Sequence, residues 1–257
     1  MGFLEIRKLT KYFGGLTAVS DLDLDVSQGQ LFGLIGPNGA GKSTVLNMID
    51  GTLRQSRGEI VFDGAAVTSL APHRRTERGI ARVFQQSVLF GSFTVSENVK
   101  VGCHLQWGMT PINIFLKTNS DRMREKALEQ KCLETLNFLG LGRYADDLAV
   151  SLPHGLQRVL ALAIALVTGP RLLLLDEPLT GMNAQEVEKM LAAIRSLRDQ
   201  RGITCVLIEH NLKAVMGLCD RIAVLNFGRK IAEGSPAEIV QDPGVTEAYL
   251  GREDDVA

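Results

Sequence analysis

The chain is short of several things, and most of these shortages close a class of function. Aromatic residues make up 5% of its 257 positions, with a single Trp. Lys and Arg number 28 against 29 Asp and Glu, for a formal net charge of −1, which leaves no overall basic field for a polyanion. The four cysteines, Cys103, Cys132, Cys205 and Cys219, are dispersed with no C-x-x-C pair. Cys132 and Cys205 sit in apolar periodic segments, so the expectation is buried free thiols in a reducing compartment rather than a metal cluster. The longest apolar run, Val159 to Val167, is far shorter than the ~20 residues that span a bilayer. Residues 1–7 alternate in polarity as a strand does and hold no apolar run of the signal-peptide kind. The expectation is a soluble chain whose role at any membrane needs a partner that spans it.

What the chain does have is 45% hydrophobic residues, enough for one large α/β domain with a substantial core. Its most informative stretch is Gly36-Pro37-Asn38-Gly39-Ala40-Gly41-Lys42-Ser43-Thr44. Gly36, Gly41, Lys42 and Ser43 fill every slot of G-x-x-x-x-G-K-[ST]. Glycines let successive backbone N–H groups curl into a concave anion site. Lys42 reaches the β- and γ-phosphates of a bound nucleotide, and the Ser43 hydroxyl is placed to ligate Mg²⁺. An apolar strand, Leu31 to Ile35, precedes the loop, and a helical pattern (Val45, Leu46, Ile49) follows it, which puts phosphate at a helix N-terminus.

A second element has the same character. Leu172-Leu173-Leu174-Leu175-Asp176-Glu177-Pro178 is an apolar strand that delivers two carboxylates at its C-terminal end, the edge where open α/β sheets bind ligands. One acid there holds Mg²⁺ through water and the next orients or deprotonates an attacking water.

Elsewhere, residues 3–8 and 21–26 alternate in polarity as half-exposed antiparallel strands. Short strands are expected at 59–62 and 80–84. Helical spacing dominates from about Phe90 to Leu166, with Leu128, Cys132, Leu136 and Leu139 as one stripe that ends at Gly140 and Gly142. A helix over Val187 to Leu197, a strand over Ile203 to Ile208 and a hairpin through Phe227-Gly228 follow. Strand and helix alternating around a phosphate loop predict an α/β fold: a P-loop ATPase core with a mostly parallel sheet flanked by helices, an antiparallel β subdomain and an inserted α-helical subdomain. The division expected is 1–86 with 167–250 as the core and antiparallel subdomain, 87–166 as the helical insert, and 251–257 as an acidic tail. There is one P-loop and no internal repeat, so one nucleotide site is expected per chain.

Together the phosphate loop, the Asp-Glu-Pro strand and a later strand ending in Ile208-Glu209-His210 resemble the ATPase subunit of an ATP-binding cassette (ABC) transporter, over essentially the whole chain. The likeness is greatest to the branched-chain amino acid uptake group. It rests on Phe13-Gly14-Gly15-Leu16, Ile208-Glu209-His210-Asn211-Leu212-Lys213 with Val215-Met216, Leu89-Phe90 followed by Thr94-Val95 and Glu97-Asn98, and the ending Glu247-Ala248-Tyr249-Leu250-Gly251. A lipid- or lipopolysaccharide-export ATPase shares this core, but the helical insert from Trp107 to Asp121 and the chain ending favour the importer.

The resemblance implies a role for each matching residue. Asn38 to Thr44 cradle phosphates and Lys42 neutralises them. Phe13 stacks on adenine, with Tyr12 as the competing aromatic. Gln85 (or, one position on, Gln86) reaches Mg²⁺ and the attacking water and senses the membrane partner. Asp176 holds the Mg²⁺ water shell, Glu177 is the catalytic carboxylate, and His210 contacts the γ-phosphate and holds that carboxylate. Gly181-Met182-Asn183 is the segment through which two ATPase subunits touch.

The segment that completes the site from a second subunit departs from the family pattern Leu-Ser-Gly-Gly-Gln. Here it reads Leu152-Pro153-His154-Gly155-Leu156. Gly155 is retained, so backbone N–H groups are still available to phosphate. Leu156 replaces the Gln, and Gln157 is one position away, about 100° round a helix. Val159, Ala161 and Ile164 replace commonly polar positions, which predicts a deeply buried helix and an intact but weaker trans site. A subunit that depends on a standard partner for turnover is the other reading.

The resemblance thus implies ATP and Mg²⁺ as cofactors, a second ATPase subunit and transmembrane permease subunits as partners, and a substrate-binding protein indirectly, without nucleic acid. It also implies a cytoplasmic location, peripheral on the inner face of the cell membrane. The transported solute is not written in the chain.

Overall fold

The apolar runs foreseen around the phosphate loop become strands buried on both faces, as parallel strands covered by helices are. In the computed structural model, which describes residues 2–84, 89–103 and 119–250, β3 (Leu31–Ile35), β7 (Leu172–Asp176) and β8 (Thr204–Ile208) are buried at every position. They lie within a six-stranded sheet of order β10-β9-β3-β8-β7-β6, with β6 at Ile80–Val83, β9 at Arg221–Asn226 and β10 at Arg229–Gly234. All neighbours are parallel except β9 and β10, which form the expected hairpin through Phe227 (φ 44) and Gly228 (φ 75).

A second sheet of order β2-β1-β4-β5 is antiparallel: β1 Leu4–Phe13, β2 Leu16–Val26, β4 Arg57–Phe62 and β5 Ala65–Ala66. β1 and β2 run longer than the alternation at 3–8 and 21–26 shows. The cause is a set of register shifts between Ile6 and Tyr12, with Lys8 and Asp21 both at φ 45. A bulge admits an extra residue and breaks the period of two on which the sequence reading depends.

Helices cover the sheets. Among the described residues they are α1 Lys42–Asp50, α2 Pro72–Glu77, α3 Val95–Gly102, α4 Asn119–Phe138, α5 His154–Leu166, α6 Ala184–Arg201, α7 Leu212–Leu218, α8 Pro236–Gln241 and α9 Pro243–Leu250. Thr94 with Glu97, Asn183 with Glu186 and Ser235 with Glu238 form capping boxes that start α3, α6 and α8. Leu128, Cys132 and Leu136 are the buried stripe of α4, which stops at Gly140 in the left-handed conformation (φ 73).

Side chains alternate across the parallel sheet and divide the core in two. Leu173, Leu175, Cys205 and Leu207 face α3, α4, α5 and α6. Leu172, Leu174, Val206 and Ile208 face α1 and the antiparallel sheet. α5 is buried at eight of its thirteen positions, including Val159 and Ala161, as its apolar sequence predicts. No helix among the described residues is long and apolar enough to cross a membrane.

Candidate active site

The order β3-β8-β7 decides what meets what. Each of these parallel strands ends at the same edge, so the loops after them are neighbours: the phosphate loop after β3, Glu209-His210 after β8, and Glu177-Pro178 after β7.

The phosphate loop is shaped by steric necessity. Gly36 adopts φ 146, and a Cβ there would lie 2.0 Å from the Leu225 carbonyl oxygen. Gly41, at φ 98, is 2.5 Å by the same measure from the Ala18 carbonyl oxygen. The loop is therefore pressed between β9 and β2. The hairpin turn braces it further: the Gly228 amide donates to the Ala40 carbonyl (3.0 Å), and Ser20 donates to the Gly228 carbonyl (2.8 Å). Gly41 caps α1 without any side-chain acceptor, so the helix N-terminus is open to an anion. Lys42 Nζ donates to the carbonyls of Gly36 and Pro37, 2.8 Å each. Burial lowers the Lys42 pKa below the ordinary lysine value, while Glu177 and Asp176 act in the other direction. Ser43 is exposed and Thr44 half-buried in the first turn.

At the end of β7, Asp176 is buried and its Oδ2 accepts from Arg82 Nη2 at 2.7 Å. Glu177 holds φ 50, a region that non-glycine residues adopt rarely and at functional sites. Its amide donates to the Ile208 carbonyl (2.9 Å), and its Oε1 lies 2.7 Å from His210 Nε2. Against an ionised carboxylate, which only accepts, that ring nitrogen is the donor. The carboxyl of Glu209 ties the two loops together, accepting from the Leu179 amide (2.7 Å) and the His210 amide (3.2 Å). Burial raises its pKa above the usual carboxylate range, with those amides opposing.

The other foreseen residues lie elsewhere in the fold. Phe13 ends β1 on the antiparallel sheet, its ring half-exposed with Lys11 Nζ 5.0 Å from the centroid. The competing Tyr12 has Arg57 at 6.0 Å from its ring. Leu152, Pro153, His154 and Gly155 lead into α5, where Pro153 occupies the cap position and offers no side-chain acceptor. Gly155 faces Glu186, whose Oε1 would lie 2.3 Å from an added Cβ, and His154 abuts Gly181. Gln157 turns back to the Leu152 carbonyl (2.9 Å), and Leu156 packs on the core. Gln85 and Gln86 lie outside the described residues, as does most of the Trp107 to Asp121 insert.

Three participants escaped the sequence reading. Arg82 bridges Asp176 to α1. Glu186, one residue before the helix expected over Val187 to Leu197, packs against Gly155. Tyr249, on α9, comes near the Gly36 backbone, and burial raises its hydroxyl's pKa. Only the charge of Arg82 inside an otherwise apolar strand, Ile80-Ala81-Arg82-Val83, was a visible signal.

The sequence matches the family described as ABC transporter over residues 19–180, and the family described as branched-chain amino acid ATP-binding cassette transporter over residues 229–255. It is 38% identical over 248 residues to the high-affinity branched-chain amino acid transport ATP-binding protein BraF of Pseudomonas aeruginosa, covering 96% of this chain and 97% of BraF. It is 33% identical over 253 residues to the lipopolysaccharide export system ATP-binding protein LptB of Haemophilus influenzae, covering 98% of this chain and 99% of LptB. Among solved structures, the ADP conformation of MJ1267, an ATP-binding cassette of an ABC transporter, superposes with a TM-score of 0.85 at 30% identity, covering 98% of this chain and all of that one. An open phosphate loop beside an Asp-Glu strand end and a histidine, on this fold and with these relatives, leads to one conclusion: the chain belongs to the ABC transporter family, as an ATP-binding and ATP-hydrolysing subunit.

Proposed function

We propose that this chain hydrolyses ATP to drive import of branched-chain amino acids or a related small polar solute, working as a pair of ATPase subunits under a membrane permease. The observation that carries the hydrolytic part is the bond between Glu177 and His210 at the edge that also holds the phosphate loop. Phosphates of ATP rest on the loop amides and the open end of α1, and Lys42 leaves its two carbonyls for them. Glu177, steered by His210, accepts hydrogen bonds from the attacking water and takes its proton. Phe13 offers an exposed ring face for adenine.

The donors around the loop fit Mg²⁺: a serine hydroxyl and a carboxylate, all oxygen. Asp176 commits only Oδ2 to Arg82. Asp176 and Ser43 are the residues that would hold the ion, joined by Gln85. Bound with ATP, the ion would supply charge neutralisation at the phosphates.

α5 supports the second subunit. Its N-terminus has no side-chain cap, and Pro153 and Gly155 leave its first amides open to the γ-phosphate held by a partner copy. Gln157, bonded to Leu152, is turned away from that task, which supports a weaker trans contact. A cleft of about 350 Å³, lined by Phe84, Leu89, Val101, Gly102, Ile164 and Ala165 among others, is the seat we assign to a helix of the permease. It lies between the core and the helical subdomain, so closing the ATPase pair moves its two walls. Through that contact the subunit is held on the inner face of the cell membrane.

The test is reconstitution of the chain with its chromosomally neighbouring permease pair in vesicles. Transport and ATPase stimulated by a binding protein loaded with leucine, isoleucine or valine support the proposal. Stimulation by lipopolysaccharide instead makes it an exporter subunit. Nucleotide binding without turnover, alone and with the permease, makes it a binding subunit.

A further inference from the structure

Arg82 lies on β6, two residues before Phe84. Its side chain is 7% exposed. Nη1 lies 2.5 Å from Asp50 Oδ2 and 2.6 Å from Asn47 Oδ1, both on α1. Nη2 lies 2.7 Å from Asp176 Oδ2. Nε is buried and has no hydrogen-bond partner among the described residues. The guanidinium carbon stands 4.7 Å from the centroid of the Phe84 ring, and both residues line the cleft beside the helical subdomain.

For stability alone this is a poor arrangement, because a buried ion network is often matched or exceeded by apolar residues of similar volume. Its geometry has other consequences. Two nearly buried carboxylates share one guanidinium, which ties α1 to the end of β7 beside the phosphate loop. The rigid fork fixes Oδ2 of Asp176 and leaves the other oxygen for a ligand. The face of the same fork carries Phe84, which is 49% exposed in the cleft.

We propose that Arg82 is a positioning residue that carries the state of the cleft to the metal-holding carboxylate. A segment seated in the cleft sets the Phe84 ring, the ring sets the plane of the guanidinium, and the guanidinium sets the orientation of Asp176. This rests on reading the cleft as the permease seat and Asp176 as a holder of Mg²⁺.

The experiment measures ATP affinity of the isolated chain by calorimetry, with Mg²⁺ and with EDTA. In Arg82→Met the gain in affinity on adding Mg²⁺ falls at least fivefold, while affinity in EDTA stays within twofold. Arg82→Lys, which keeps the charge but cannot bridge both acids, falls between the two and carries the test if Arg82→Met does not fold. In the reconstituted complex, Phe84→Ala lowers the ratio of permease-stimulated to unstimulated ATPase. Equal weakening of Arg82→Met with and without Mg²⁺ reduces Arg82 to a structural residue and overturns the inference. So does an unchanged ratio in Phe84→Ala. A wild-type chain indifferent to Mg²⁺ overturns the reading of Asp176 itself, which separates that failure from this one.

Discussion

His210 Nε2 lies 2.7 Å from Glu177 Oε1, a bond between loops that leave two neighbouring parallel strands. It holds a carboxylate whose own backbone is already in the left-handed region. Glu177→Gln keeps the shape and removes the base. ATPase is expected to fall by about 10² or more, the usual range for loss of a general base, with ATP affinity little changed. Turnover measured beside equilibrium binding checks it, and a wild-type rate in the variant moves the base elsewhere.

Gly36 and Gly39 provide a controlled comparison. Both have positive φ, but a Cβ at Gly36 strikes the Leu225 carbonyl at 2.0 Å, whereas nothing lies within 4 Å at Gly39. Gly39→Ala bears conformational strain of about 1–3 kcal/mol. Gly36→Ala bears the clash as well, so it is expected to unfold at lower urea and to lose ATP binding first.

Gly155→Ala pushes on Glu186, whose carboxylate completes the capping box with Asn183. Stability is expected to drop by about 0.5–2 kcal/mol, the worth of a cap. Because the two sites touch, Gly155→Ala combined with Glu186→Ala costs less than the sum of the single changes. Urea titration of the four proteins measures this.

Glu209 binds its proton more tightly folded than unfolded, because burial raises its pKa. Between the unfolded and folded values the native state holds more protons, so this residue's contribution to stability declines as pH rises through that window. Glu209→Gln removes the effect. The urea midpoint of the variant relative to wild type is therefore expected to climb from acid toward neutral pH.

Burial pushes the thiols of Cys205 and Cys219 up to about 12, which leaves almost no thiolate near neutrality. Iodoacetamide at pH 7.5 is expected to spare both in the native protein and to label both in guanidinium, as peptide mass spectrometry would show.

Much of this site is legible because its parts are covalently local. A phosphate loop is nine consecutive residues, and Asp176-Glu177 follow their apolar strand without a gap. The helices started by Ser235 and Thr94 carry their capping signals in the sequence, although the spacing of apolar residues alone does not reveal them. Bulges hid the length of β1 and β2, since a single extra residue reverses which side chains face the core.

The sequence by itself determined that this chain holds phosphate at a glycine loop and presents two acids at a strand end, because both depend on the local geometry of consecutive residues. The meeting of His210 with Glu177 was implied by the family resemblance alone; only the tertiary structure decided that Arg82 holds Asp176 across 94 positions and that Glu186 backs Gly155. Those meetings depend on the order of strands in the sheet and on which helix faces which. That order is settled by packing the whole core, and no local spacing records it.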